Sequence, residues 1–590
     1  GDFGMEATKG ADGKVVTLRG GGVARVRPDG SDLEIYSYHT RNICDIAISP
    51  KLDLFTRDNT NDGKGWNIRV HHLTNGSEHG YPRLYKNFTD EAVKPILDLG
   101  GGSGTGALYL AEPGHDELLL TCDWTTGKIY NDKVSEKGAS YSLKESVYMN
   151  LPRAIDIDVD GSGNLFVCDW RGGRFKFAGK GKKVGMVQKL TKNGLEGQPF
   201  PELRGMSTSE LVLQLKSSSA VRRLEVQRVL LAKAETGSIK PLTILVKDSR
   251  LSIESRIAAI FTLSQMKEMT ADQFLQIFAK DWKDLKEIQQ YLTRAAGDLS
   301  GEISSDTLSL VEGALQSGDE RTRLQAVVFL MRIGNPAKNA TAQILKALTE
   351  AQDPRIQNTA VGALVEIGDV ESLLSHVNRK TARLALMRLH RPEVISGIAA
   401  SLQQSKGSER LGLIEILARL FHREAEWDLK AWWGTRPDDR GPYFAPETWE
   451  ETPNIKAALE SVFNQLAKTD QSKMLGILGI NRVPVSELSL GKQDPFFIAL
   501  ATPTPDESQI RILTGAAKDK RRLWEERVSA YRALGRLEGK AVANQVEILG
   551  AWLDQGVKPS EVELELNDFV NQPALILSTK VLRKVAAKGS

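Results

Sequence analysis

The stretch TCDWTTGKIY at residues 121–130 recurs as VCDWRGGRFK at residues 167–176. The two cysteines, Cys122 and Cys168, stand 46 positions apart, and Asp-Trp follows each of them. A weaker copy of the pattern lies at residues 41–59. Repeats of about 40–50 residues that contain several short strands are typical of β-propeller blades. The sequence therefore predicts propeller blades in the first third of the chain.

Alternating apolar and polar residues support this interpretation. Residues 22–27 alternate ahead of the turn Pro28-Asp29-Gly30, which indicates antiparallel strands joined by tight hairpins. The repeats account for about three or four blades of a six-bladed ring. Each blade buries its faces against its neighbours, so the ring needs further blades. We predict that residues 1–191 form the C-terminal part of a propeller, which missing upstream sequence or another polypeptide completes.

The composition changes after a predicted linker at residues 192–205. From residue 206 the chain is rich in Ala, Leu, Glu, Lys and Arg, and its hydrophobic period becomes helical. Ala326 and Ala360 occupy equivalent positions 34 residues apart. Two short helices per unit, with a small residue where they cross, are typical of HEAT-like repeats. The predicted fold class is therefore multidomain β + α, with an α-helical solenoid at residues 206–590.

Length and charge narrow the class of protein. A chain of 590 residues exceeds one typical core, so at least two domains are expected. Its 78 basic and 75 acidic residues leave a net charge of +3, which does not favour nucleic acid as a partner. No apolar run approaches the roughly 18 residues that span a bilayer. Three cysteines cannot form a disulfide framework, and the C-x-x-C-H motif that attaches haem is absent from the sequence.

Several short motifs occur in one fixed order. They are Arg41-Asn42, FTRDN at residues 55–59, GSEHGYP at residues 76–82, GSGTGALY at residues 102–109, and Arg153 at the start of a strand pattern. This ordered set resembles the glucose/sorbosone dehydrogenase propeller family, and the resemblance covers residues 1 to about 191.

The resemblance implies a cofactor site. In that family the central face binds pyrroloquinoline quinone on a calcium ion, and a histidine takes the hydroxyl proton of the substrate. By position, Arg41, Asn42 and Arg153 would contact the anionic quinone, since guanidinium groups suit carboxylates. The family's catalytic histidine lies upstream of the motif that here is GDFG at residues 1–4. Catalysis by this chain alone is therefore not expected.

Two loops carry oxygen ligands of the kind that calcium prefers. The first contains Asp58, Asn59 and Asp62. Its alternative interpretation is a surface turn, because Asn and Asp side chains bond their own backbone. The second, DIDVDGSGN at residues 156–164, resembles a calcium loop, but position 12 is Val167 instead of glutamate. Its alternating apolar residues and its Asp-Gly turn favour a plain β-hairpin.

Two other motifs have structural interpretations. His71 and His72 are adjacent, so in a strand their side chains would lie on opposite faces and could not easily bind one ion. The glycine-rich residues 100–104 lack the Lys-Ser/Thr pair of a phosphate-binding loop. We therefore expect structural histidines and a propeller loop.

An aromatic insertion interrupts the helical pattern at about residues 427–449. Its Gly and Pro residues exclude a continuous helix, and aromatic side chains at this density are seldom left exposed without a reason. The insertion packs against a neighbouring helix or the propeller, or else it is a platform for a sugar ring or a protein partner. The predicted platform residues are Trp432, Trp433, Arg436, Asp438 and Tyr443.

A propeller, HEAT-like repeats and a tryptophan-rich insertion together resemble the large bacterial "membrane-bound dehydrogenase" family of PVC type, often followed by a cytochrome c module. The resemblance implies a periplasmic or secreted sugar or polyol dehydrogenase that passes electrons to cytochrome c, with no haem in this chain. One alternative is a non-catalytic scaffold that binds proteins or glycans. Another is a calcium-stabilised propeller that binds or cleaves polysaccharides.

Overall fold

The computed structural model describes residues 4–59, 66–170, 184–428 and 441–562, with short gaps inside the last two ranges, and a few residues between 579 and 587. The chain divides into two compact units. The first unit contains residues 1–61, 68–79 and 93–368, and the second contains residues 62–67, 80–92 and 369–590. The first unit thus includes the three- and four-stranded sheets and the helices between residues 208 and 367.

Mainly antiparallel sheets form the part of the first unit that precedes its helices. The strands are β1 (Met5–Lys9), β2 (Val15–Leu18), β3 (Gly21–Arg25), β4 (Glu34–Thr40), β5 (Ala47–Ile48), β6 (Leu54–Arg57), β7 (Ile68–Leu73), β8 (Ser77–Glu78), β9 (Leu97–Gly100), β10 (Gly104–Leu110), β11 (Leu118–Asp123), β12 (Lys128–Lys137), β13 (Ser140–Asn150), β14 (Ala154–Val159), β15 (Leu165–Trp170) and β16 (Gly185–Leu190).

The strands pair mainly with their neighbours in sequence. Two sheets have four strands, in the orders β5-β6-β7-β9 and β10-β11-β12-β13, and two have three, in the orders β3-β4-β8 and β14-β15-β16. The repeated Cys-Asp-Trp motif takes the same place twice, because Cys122 and Cys168 both lie in the second strand of their sheets. The sequence repeat therefore corresponds to a structural repeat.

Strand β11 of the β10–β13 sheet is buried on both faces. Leu119 and Leu120 are fully buried neighbours in β11, and alternate strand residues face opposite sides. Leu119 packs with Phe55 of the β5–β9 sheet, whereas Leu120 packs with Ile157 of the β14–β16 sheet. Successive sheets consequently pack face to face in chain order.

Helices account for most of the chain beyond residue 206. The helices are α1 (Leu84–Asn87), α2 (Thr208–Gln214), α3 (Ala220–Lys233), α4 (Ile239–Lys247), α5 (Ile253–Ser264), α6 (Ala271–Gln276), α7 (Gln289–Gly297), α8 (Ser305–Ala314), α9 (Glu320–Ile333), α10 (Thr341–Glu350), α11 (Pro354–Ile367), α12 (Val370–Ser375), α13 (Lys380–Leu386), α14 (Pro392–Gln404), α15 (Gly407–Leu420), α16 (Thr452–Phe463), α17 (Lys468–Ile480), α18 (Pro495–Ala501), α19 (Glu507–Lys518), α20 (Trp524–Gly535) and α21 (Val542–Asp554).

The helices of the first unit pack in series. Helices α3, α5, α7, α9 and α11 contact one another in order, and each also packs on the helix before it in sequence. Ala326 of α9 and Ala360 of α11 are both fully buried, as their 34-residue spacing indicates. Several of these helices are capped by side chains that accept hydrogen bonds from the first turn, each worth about 1 kcal/mol; the capping residues include Ser219, Ser252, Ser304, Asp319 and Asp353.

The second unit has its own core. Fully buried Trp552 and Tyr531 pack together near its end, and the indole N–H of Trp552 donates to the Ala517 carbonyl at 2.7 Å. Two short strands, β17 (Arg423–Glu424) and β18 (Pro446–Glu447), pair on either side of residues 429–440. Among the helices that the structure describes, none is both long and apolar enough to cross a membrane.

Candidate functional site: a loop edge of three sheets

A buried aspartate lies at the end of the second strand in three consecutive sheets. Asp58 directly follows β6, Asp123 ends β11, and Asp169 lies in β15. None of the three is more than 1% exposed. Because a buried carboxylate needs hydrogen-bond donors, each aspartate must hold nearby backbone or side chains in place.

Asp58 holds the segment that contains Arg41. Its Oδ2 accepts the backbone N–H of Arg41 at 3.0 Å, and its Oδ1 accepts the N–H of Asn59 at 2.8 Å. His71 Nε2 lies 3.5 Å from Oδ2. The predicted quinone-contacting Arg41 is thus attached to the loop that follows β6.

Ser103 connects this loop to the next sheet. Its hydroxyl donates to Asn59 Oδ1 at 2.8 Å, and its backbone N–H donates to Asp123 Oδ2 at 3.0 Å. The Ser103 carbonyl accepts the N–H of Trp124 at 2.9 Å. The glycine-rich segment is therefore the connection between two sheets, in agreement with its interpretation as a loop.

Arg153 completes the edge on the third sheet. Its guanidinium lies 4.3 Å above the Trp124 ring, and its carbonyl accepts the N–H of Trp170 at 3.1 Å. Its backbone φ of 55° is in the left-handed region, which few residues other than glycine adopt. A continuous series of contacts thus joins Arg41 to Arg153. We call the following residues the loop edge: Arg41, Asn42, Asn59, Ser103, Trp124 and Arg153.

The loop edge leaves its predicted quinone contacts within reach of solvent. Arg41, Asn42 and Arg153 are all partly exposed, unlike the aspartates beneath them. The Asn42 carbonyl faces the thiol of Cys44 at 3.8 Å. The structure therefore brings the two arginines onto one edge, with Asn42 beside Arg41 in sequence.

Gly102 is required by the close approach of this loop to Asp123. Its φ is +150°, and a Cβ built there would collide with Asp123 Oδ2. A Gly102→Ala substitution is expected to lower the free energy of unfolding by about 1–3 kcal/mol, since the carboxylate would have to leave Ser103. Urea unfolding followed by tryptophan fluorescence measures this loss.

The adjacent Gly101→Ala variant is the matched control. A Cβ at Gly101 meets nothing within 4 Å among the described residues, so we expect a change within about 0.5 kcal/mol. Equal effects of the two substitutions would contradict the proposed role of Gly102.

A buried charge network lies beneath the loop edge. Arg57 is 2% exposed, and its Nη1 donates to Glu145 Oε2 at 2.5 Å. Its Nε lies 3.4 Å from Asp123 Oδ2, and its guanidinium lies 4.3 Å above the Tyr130 ring. Burial, together with the charge of Glu145, raises the pKa of Asp132 to about 7. The short sequence motifs did not predict this network. The only indication in the sequence was Arg57, a charged residue in a strand whose other residues are uncharged.

The adjacent histidines contact different partners, as their strand position predicts. His71 faces Asp58 and the ring of His79, with ring centroids 4.5 Å apart. His72 instead lies 3.4 Å from Asp53 and 3.0 Å from the Ser140 hydroxyl. Burial lowers the pKa of His72 to about 4 and lowers those of His71 and His79 as well. All three side chains are therefore neutral at pH 7.

Asp58 and Asn59, two of the three predicted calcium residues, accept hydrogen bonds from protein donors. Both oxygens of Asp58 accept backbone N–H groups, and Asn59 Oδ1 accepts the Ser103 hydroxyl. Asp62 lies outside the described residues. Among the residues that the structure does describe, no three His, Cys, Asp or Glu side chains are grouped so as to hold a metal ion.

The second candidate loop is the turn of a β-hairpin. Strands β14 and β15 pair antiparallel on either side of it. Asp160 Oδ1 accepts the backbone N–H groups of Ser162 and Asn164, each at 2.9 Å. This carboxylate therefore stabilises the turn itself.

Only part of the aromatic platform lies within the described residues. Trp432, Trp433, Arg436 and Asp438 fall outside them. Tyr443 is described, and its hydroxyl donates to the Arg419 carbonyl at 2.8 Å. Trp449 is 7% exposed and donates to the Leu420 carbonyl at 2.7 Å. Both side chains pack against the end of α15.

No protein family and no curated protein matches the sequence. A protein from Thermus thermophilus, described as an oxidoreductase (glucose dehydrogenase), has 20% identity over 27% of this chain and 46% of its own, with a TM-score of 0.22. The PQQ-bound aldose sugar dehydrogenase from Streptomyces coelicolor has 16% identity over 30% of this chain and 52% of its own, with a TM-score of 0.22.

An engineered protein has 15% identity over 65% of this chain and its whole own length, with a TM-score of 0.20. This chain spans about half the length of the two dehydrogenase-type structures. At these TM-scores the similarities establish neither the fold nor the activity of the chain.

Proposed function

We propose that the sheets are part of a sugar- or polyol-dehydrogenase-like β-propeller, and that the loop edge binds an anionic, planar quinone. The observation that carries this proposal is the series of contacts from Arg41 to Arg153 across three consecutive sheets. The helices that pack in series belong to a HEAT-like solenoid in the same proposal. A periplasmic or secreted location, and cytochrome c as the electron acceptor, are further parts of it.

The chemistry of the edge suits pyrroloquinoline quinone. When bound, this cofactor accepts two electrons from an alcohol group of the substrate. Arg153 is partly exposed and is held in one place by its stacking on Trp124, so its guanidinium can bind a carboxylate without losing further freedom. Arg41 would bind a second carboxylate and Asn42 would donate an amide N–H. Asp58 holds Arg41 and is not assigned a calcium ion.

Quinone binding by the complete 590-residue chain tests this proposal. Titration of the quinone, followed by quenching of tryptophan fluorescence, is expected to show saturable binding. An Arg153→Gln substitution is expected to weaken it by about tenfold to a hundredfold, since a hydrogen bond to a charged group is lost. Reduction of a dye in the presence of sugars is the second readout.

Arg228→Gln is the control, because Arg228 has the same charge but is 70% exposed on α3 and far in sequence from the edge. The absence of both quinone binding and dye reduction would exclude the oxidoreductase function. Binding that Arg153→Gln leaves unchanged would exclude the loop edge as the binding site.

A non-catalytic scaffold is the second candidate, and the contacts between sheets and helices in the first unit favour it. Arg294 of α7 donates to the Leu52 carbonyl at 2.8 Å, and Arg355 of α11 donates to the His72 carbonyl at 2.5 Å. Between them, Arg321 of α9 donates to the Ser140 carbonyl at 3.1 Å. Helices α7, α9 and α11 thus each contact the sheets through an arginine. Glycan or protein binding without dye reduction would support this alternative.

A further inference from the structure

A cavity of about 230 Å³ lies between two sheet turns and the first turn of α3. The two turns follow β10 and β14, so they lie at the opposite ends of these strands from the loop edge. The cavity is therefore separate from the proposed quinone site. Its lining includes Glu112, Gly114, Ser162, Ser217, Ser218 and Arg222.

Glu112 is a buried acidic residue in the lining of this cavity. It is 4% exposed, and its Oε1 accepts the N–H of Val221 in the first turn of α3 at 2.9 Å. Its Oε2 is buried and has no hydrogen-bond partner among the described residues. A buried carboxylate oxygen without a donor is unfavourable, so a donor from a bound molecule would stabilise it.

The charges around Glu112 favour a neutral donor. The N-terminus of α3 carries a partial positive charge, which offsets part of the negative charge of the carboxylate. The Arg222 guanidinium also lines the cavity and is held by the carbonyls of Gln198 and Pro199, each at 3.0 Å. A cationic ligand would therefore gain little, because the α3 N-terminus and Arg222 already offset the negative charge of Glu112. A neutral hydroxyl group can donate a hydrogen bond to Oε2 without bringing a further positive charge into the cavity.

The rest of the lining provides further polar contacts. Ser162, Ser217 and Ser218 carry hydroxyl groups, each of which can both donate and accept. Pro113, Gly114 and Ser218 are exposed, so the cavity is open to a small molecule. Its volume is below the roughly 300 Å³ of the smallest pockets for drug-sized ligands.

We propose that this cavity binds a small neutral polyol, with one hydroxyl group donating to Glu112 Oε2 and others contacting the serine hydroxyls. Such a ligand supplies the hydrogen bond that Oε2 lacks, adds no charge and is small enough for a cavity of about 230 Å³.

Titration of xylitol into the 590-residue chain, followed by calorimetry, tests the proposal. We expect saturable binding that Glu112→Gln weakens by about tenfold, since a charge-assisted hydrogen bond becomes a neutral one. Ser218→Trp is expected to abolish binding by filling the cavity, and since Ser218 is exposed this variant should fold. Glu117→Gln, a change in an exposed residue of the same segment, is the control and should bind like the unaltered protein.

Three results would overturn the proposal. The first is the absence of saturable xylitol binding at millimolar concentrations. The second is binding that Ser218→Trp leaves intact, which would place the ligand elsewhere. The third is tighter binding of ethanolamine than of xylitol, which would show a cation site. Loss of quinone binding in Arg153→Gln with xylitol binding retained would separate this site from the loop edge.

Discussion

Replacing Arg57 by methionine is expected to lower the free energy of unfolding of the first unit by about 3–5 kcal/mol. Arg57 is 2% exposed, and it lies within contact distance of the buried Asp123 and of Glu145. Methionine fills similar space but leaves both carboxylates without their cation. Removal of one partner from a buried charge network costs far more than loss of an exposed ion pair, which is worth at most about 1 kcal/mol.

Urea unfolding followed by tryptophan fluorescence measures this effect. Arg228→Met on the exposed face of α3 is the control, and we expect it to change stability by less than about 0.5 kcal/mol. Adding Glu145→Gln to Arg57→Met should recover part of the loss, because the two residues are in contact. If both arginine variants unfold at the same urea concentration, Arg57 does not support the loop edge.

A fall in pH from about 6.5 to about 4 is expected to destabilise the first unit through its buried histidines, by about 3 kcal/mol for His72 alone. Burial lowers the pKa of His72 to about 4, whereas an unfolded histidine titrates near 6.5. Below pH 6.5 the unfolded chain therefore binds a proton that the folded chain does not. Each further fall in pH therefore favours the unfolded state more, until the pH reaches the pKa of His72 in the folded protein. His71 and His79 act in the same direction.

The pH dependence of the His72→Gln variant isolates this effect. Asp132 acts in the opposite direction, because its pKa is raised to about 7 and folding therefore favours its protonated form as the pH falls. The difference between the unaltered protein and His72→Gln, measured at each pH, removes that contribution. His376→Gln in the second unit is the control. Parallel curves for the unaltered protein and His72→Gln would show that His72 titrates normally.

Charged groups from several elements surround the histidines. His72 contacts Asp53, and Arg355 of α11 donates to the His72 carbonyl. The charges of Arg355 and Arg321 further lower the pKa of His72, whereas Asp53 raises it. His39 and Glu78 form a partly buried pair on the adjacent strands. Protonation at low pH would therefore add positive charge next to the arginines that hold helices to sheets.

Local patterns were sufficient for several features. The opposite orientations of His71 and His72 follow from the strand period of two, which holds wherever a strand forms. The hairpin around Asp160 follows from its Asp-Gly turn. The burial of Ala326 and Ala360 follows from a 34-residue period. Each of these inferences depends only on residues close together in the chain or on a repeat.

Other features depend on residues that are distant in sequence. Arg57 meets Glu145 88 positions away, so no local pattern shows that this arginine is paired. Glu112 lines a cavity with Arg222 because a sheet turn lies beside α3. The sequence offers the oxygens of Asp58 as possible calcium ligands, but it does not show the backbone donors that they bind. The donor N–H of Arg41 reaches Asp58 from the segment that follows β4.

The amino-acid sequence by itself determined the order of sheets and helices, the repeat in each module and the residue types available at the loop edge. These properties arise from turn chemistry and hydrophobic period, which act over short distances. Among the described residues, tertiary structure alone decided which charges are paired, which histidines have a lowered pKa and where a buried carboxylate oxygen such as Glu112 Oε2 lacks a donor. The physical reason is that burial and pairing depend on the groups that packing brings together, and the same aspartate can be a metal ligand or a backbone clamp according to its neighbours.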